Sequence, residues 1–61
     1  MKIIRPFTYL HVLTSDDRIR HARVETVVDQ DEITVSIGKD TPFTAERVTS
    51  TATRGEIFEE V

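Results

Sequence analysis

The 61-residue chain contains no cysteine, and that absence, more than any motif, limits what it can become. A chain this short buries only about 60% of the surface its unfolded form exposes, and a core of that size supplies about 3–5 kcal/mol. Disulfides, structural metals or a partner subunit are the usual supplements. The first is excluded, together with thiol chemistry and any cysteine zinc site, and a reducing compartment fits the composition. What remains is one thin core over residues 1–61, which a second copy of the chain would enlarge.

Turn signals punctuate the sequence at "TSDD" (14–17), "DQDE" (29–32), "GKDTP" (38–42) and "TRGE" (53–56). The segments between them are rich in Ile, Val, Thr, Phe and Tyr, residues that pack well on a half-buried pleated surface. In "EITVSIG", Ile33, Val35 and Ile37 alternate with Thr34 and Ser36, the period of a strand with one buried face. "IIRPFTYLHVLT" carries apolar residues on both parities, Phe7, Tyr9 and Leu13 against Leu10 and Val12. Such a strand is covered on both faces or bends around a barrel, and Pro6 places its start further on. The spacing predicts an all-β or mostly β fold, a small antiparallel meander or SH3-like small barrel of four or five strands.

Segment 43–54, "FTAERVTSTATR", reads two ways. As a helix it has Thr44 as N-cap, Glu46 in the first turn, a staple from Phe43 to Val48, and Gly55 as a stop. Against that stand Thr49, Ser50, Thr51 and Thr53, which are poor helix formers. A turn at 42–47 leading into a strand is the favoured reading, with "EIFEEV" as a last strand whose Ile57 or Phe58 faces inward.

"RIRHARVETVV" (18–28) packs three arginines and a histidine into six residues. A two-residue loop at Asp16 and Asp17 would set Val12 opposite His21 and His11 opposite Ala22. Regular alternation then mixes Arg18 and Arg20 with Ala22 and Val24 on one face. A bulge near Arg20 and His21 would instead turn Ile19, Ala22 and Val24 inward and line up Arg18, Arg20 and Arg23 outside. Such a stripe could grip phosphates or carboxylates, with Phe7 and Tyr9 stacking on exposed bases. The plainer account is a solvated strand face whose arginines pair with Asp16, Asp17, Glu25 or Glu32. It weighs more, because a sequence pI of about 5.2 is far from the basic footprint of a nucleic-acid binder.

Charge is uneven along the chain. Residues 1–24 hold five bases against two acids, a balance of +3, and residues 25–61 hold three bases against nine acids, a balance of −6. That asymmetry would orient a partner or let copies associate head to tail. No stretch has the apolar length of a membrane span, and Arg5, Pro6 and His11 interrupt what would be a signal peptide, so the expected location is cytoplasmic.

Catalytic and metal chemistry find little support. His11 and His21 are the only histidines; they would point to opposite faces in the two-residue-loop hairpin, and even with a bulge no third nitrogen ligand exists, so no metal site is expected. Ser15 with Asp16 and Asp17 holds the residue types of a hydrolytic triad, but neighbours in a tight turn cannot orient one another. "DQDE" lacks the glycine and distant glutamate of a calcium loop, and "GKDT" lacks the first glycine of a phosphate-binding loop. The sequence points to no cofactor and no enzyme.

The expected function is that of a non-catalytic protein-interaction module, a small accessory, inhibitor or assembly subunit, cellular or viral. It would act through β-edge pairing and polarised charge, with a homo-oligomer expected. The candidate binding residues are Arg18, Arg20, His21, Arg23, Phe7 and Tyr9, with Glu56, Glu59 and Glu60 facing a basic partner. A small nucleic-acid-binding barrel is the alternative.

Overall fold

The computed structural model describes residues 3–48 and 57–61. Five strands follow one another in chain order around a closed barrel: β1 (Tyr9–Leu13), β2 (Ile19–Asp29), β3 (Glu32–Ser36), β4 (Phe43–Arg47) and β5 (Phe58–Glu60). Successive strands are antiparallel, but β5 runs parallel to β1, with Val12 opposite Phe58 and Leu13 opposite Glu59. The parallel seam is a matter of counting, because a ring of odd strand number built by reversals must close on one like-directed pair. The expected small all-β barrel is thus observed, and no helix among the described residues is long and apolar enough to cross a membrane.

Alternation decides which residues enter the barrel. Ile33 and Val35 of β3 are fully buried, as are Val12, Val24 and Ala45, while Ala22 and Phe58 are 1% exposed. Ile4 completes this core, and Leu10, Val27, Ile37 and Phe43 pack against it. Small residues at Ala22 and Ala45 beside one large residue at Phe58 are the mixture a narrow barrel interior needs. β2 serves both β1 and β3, and its register against β3 shifts between Val24 and Thr26 and between Val27 and Asp29. Each such irregularity bends the strand and increases its twist, which lets eleven residues wrap a tight ring.

Side chains close one end. The Gln30 amide donates to the Ile4 carbonyl at 3.2 Å and accepts from the Ile4 N–H at 2.7 Å, as a strand neighbour would. Arg47 donates to Asp31 at 3.0 Å and to the Gln30 carbonyl at 2.7 Å, and its guanidinium lies 5.1 Å from the Phe58 ring centre. Asp29 accepts from the N–H groups of Asp31 and Glu32 at 2.7 and 2.9 Å, so the carboxylate of "DQDE" shapes a hairpin tip. Gly38 takes φ +58 in the turn closed by Asp40 N–H to the Ile37 carbonyl, a conformation that favours glycine.

Two expectations are corrected. Residues 43–47 are strand, neither helix nor turn: Phe43 pairs with Val35 and Ala45 with Ile33, so a period of two that covers β3 overrides the capping signals. The edge pairing expected of the chain, for which a last strand at "EIFEEV" or the "TSTAT" segment would have offered the open edge, is not available at β5, which pairs with both β1 and β4. Residues 49–56, with the "TSTAT" segment and Glu56, lie outside the described residues.

Truncating Phe58→Ala should cost about 3–5 kcal/mol, as much as a chain of this length has, whereas Ile33→Val should cost about 0.5–1.5 kcal/mol. Urea denaturation followed by circular dichroism should therefore find the first variant largely unfolded in water and the second folded. Similar midpoints for the two would contradict the packing.

Candidate interaction face on the first hairpin

The loop between β1 and β2 sets everything on this face. It has three residues, not two: Thr14 N–H donates to the Arg18 carbonyl at 2.8 Å and Asp17 N–H to the Thr14 carbonyl at 3.0 Å. Asp17 has φ 61, the left-handed residue that ends a common three-residue hairpin loop and that Asp tolerates. One extra loop residue moves the register by one, giving Tyr9↔Arg23, Leu10↔Ala22, His11↔His21, Val12↔Arg20 and Leu13↔Ile19.

No bulge occurs at residues 20–21 and the arginine stripe it would have made does not form; the three arginines pair with Asp16 and Glu25, as the plainer account has it. Ala22 and Val24 enter the barrel while Arg20, on the same parity, reaches the rim. There Asp16 receives Arg20 at 3.0 Å and Arg18 at 3.8 Å, and it accepts a hydrogen bond from the Thr14 hydroxyl. The Thr14 and Arg20 hydrogen bonds together lower the Asp16 pKa from 3.8 to about 2. Arg23 stands apart on the outer face, 3.7 Å from Glu25, which also accepts from the Ser36 hydroxyl at 3.0 Å. Ile19, expected inward, is 55% exposed.

The outer face instead gathers Tyr9, His11 and Leu13 from β1 with Ile19, His21 and Arg23 from β2. The Thr14–Arg18 and Thr8–Val24 bonds mark the hydrogen-bonded positions, so these residues fall at the non-hydrogen-bonded pairs, where side chains approach most closely. The Tyr9 and His21 rings are 5.1 Å apart and the His11 and His21 rings 5.3 Å apart. The Arg23 guanidinium lies 5.0 Å from the Phe7 ring centre. His11 and His21, expected on opposite faces, are therefore direct neighbours on one.

Phe7 reaches this face through an unusual backbone. It follows Pro6 in a turn and has φ 65, where that turn position ordinarily carries glycine. Phe7 N–H donates to the Val24 carbonyl while the Thr8 carbonyl accepts from Val24 N–H, both at 2.7 Å, so two residues oppose one. A bulky residue in this region costs about 1–2 kcal/mol, and the ring is 66% exposed.

The acidic candidates separate. Glu60 accepts from the Ser15 N–H at 2.8 Å, which ties β5 to the hairpin loop, and Glu56 is outside the described residues. Glu59 stands opposite Glu46, which stands opposite Glu32, a row of three carboxylates that only the register reveals. Beside it a groove lined by Glu46, Arg47, Val48, Glu59, Glu60 and Val61 holds about 130 Å³, below the about 300–1,000 Å³ of small-molecule sites. No group of three or more metal-ligating side chains occurs among the described residues. Comparison with protein-family models, curated proteins and solved structures gives no match.

Because the folded pKa of Asp16 lies below its unfolded value, its bonds stabilise the fold above about pH 4 and are lost as pH falls toward about 2. Asp16→Asn should lower the melting temperature at pH 7, and the gap to the parent protein should shrink through that window. A gap independent of pH would show that the carboxylate charge is immaterial.

Proposed function

We propose that this chain is a non-catalytic protein-interaction module that docks through the outer face of its first hairpin. It would serve as an accessory, inhibitor or assembly subunit. The observation that carries the reading is Phe7: an exposed aromatic ring is held on a left-handed backbone where glycine would be unstrained. Strain of this kind gathers at sites of function. With Tyr9 and Arg23 beside it, the face has residue types that dominate binding energy at protein interfaces, and Ile19 adds apolar surface at its far end. Its partner would offer apolar surface, matching the exposed Phe7 and Tyr9 rings.

Two alternatives draw less support. Arg18, Arg20 and Arg23 each face a carboxylate within 3.0–3.8 Å, so a nucleic-acid phosphate would have to displace an existing partner. Pairing through an open strand edge finds none in β5, which is flanked on both sides.

A photo-crosslinking residue in place of Tyr9, expressed in the native host, should yield adducts with protein, and an equivalent probe at Glu46 should yield far fewer. Adding Phe7→Gly should reduce the Tyr9 adducts severalfold while leaving stability equal or up to about 1–2 kcal/mol higher, as strain is released. Adducts with a second copy of the chain would identify the partner as itself. Adducts with nucleic acid, equal yields at the two positions, or unfolding of Phe7→Gly would overturn the proposal.

A further inference from the structure

We infer that His11 and His21 form a two-nitrogen chelate for a divalent transition metal ion on the outside of the hairpin. The two histidines are cross-strand partners at a non-hydrogen-bonded position, where Cβ atoms approach most closely. An imidazole nitrogen binds zinc at about 2.0–2.1 Å, which puts each ring centre about 3.2 Å from the ion, so a tetrahedral angle sets the two centres about 5.2 Å apart. The observed separation is 5.3 Å, with the ring planes inclined at 32°. The register thus brings the two rings to a separation compatible with a shared ion.

The surroundings allow it. Both imidazoles are exposed, and neither makes a hydrogen bond or ion pair among the described residues. A pair of nitrogen donors without carboxylates selects zinc, nickel or copper over magnesium or calcium. Arg23, the nearest cation on the same strand face, is directed to Glu25 and the Phe7 ring. Two ligands leave the remaining coordination positions to water or to donors from another molecule, so the site is open and its occupancy reversible. The inference is independent of the proposed docking role, because it concerns the isolated chain.

The test is a titration of the full chain with zinc chloride in a non-chelating buffer, followed by imidazole and amide NMR shifts, and repeated with nickel and magnesium chloride. Saturable shifts confined to His11, His21 and their neighbours are expected with zinc and nickel and not with magnesium. His11→Gln and His21→Gln should each weaken binding about tenfold or more, while their unperturbed amide spectra report an intact fold. A saturation point of one ion per two chains would also support the chelate, with the second copy completing the coordination. The inference is overturned by parental affinity in either variant, by shifts confined to Glu32, Glu46 and Glu59, by equal response to magnesium, or by no binding.

Discussion

Val12 facing Phe58 across the parallel seam is the contact on which the barrel depends. β5 contributes three residues, yet it supplies the largest buried side chain and joins β1 to β4. Without it, β1 and β4 would each expose a row of unpaired backbone groups, and Val12 and Ala45 would lose their cover. The cysteine-free chain therefore secures its thin core by topology. Ring closure pairs both flanks of β5 and removes the sticky edges that a short meander would present.

Closure also determines what the surface can do. With the strands engaged side to side, the remaining variety lies in what projects outward, and the register sorts it. Arg18 and Arg20 are drawn to Asp16 at the hairpin loop, Glu60 is taken up by the Ser15 backbone, and Arg47 caps Phe58. The hairpin face is left with rings and aliphatic groups around one outward arginine, while Glu32, Glu46 and Glu59 form a row across β3, β4 and β5. Like charges directly opposite one another are destabilising, so this row sets three carboxylates of the second half of the chain against one another.

Much of the fold was legible in the sequence. The alternation of Ile33, Val35 and Ile37 marks β3, the turn signals bound the strands, and Phe58 reads as an inward residue. The hairpin face was legible only in part, because it depends on whether the loop at "SDD" holds two residues or three. That one-residue difference decides whether His11 meets Ala22 or His21, and no local propensity settles it. The left-handed Asp17 carries the decision, and Asp is among the few residues that adopt this conformation readily. The signals that read as a turn at 42–47, or second as a helix, failed for the opposite reason. They are local, and the unpaired flank of β3 outweighed them. Phe7 and Tyr9 were recognisable as candidates by residue type, but the bulge that holds Phe7 over Arg23 has no signature beyond Pro6.

The central claim is that the outer face of the first hairpin is a docking surface for protein. Tyr9 is the only tyrosine in the chain, so fluorotyrosine labelling places a single fluorine reporter in the middle of that face. The most direct measurement is its fluorine NMR spectrum in buffer and in extract of the native host. The account predicts a shifted or broadened resonance in extract that returns to its free position in Phe7→Gly and survives nuclease treatment. A resonance identical in buffer and extract, or a change abolished by nuclease, would contradict it.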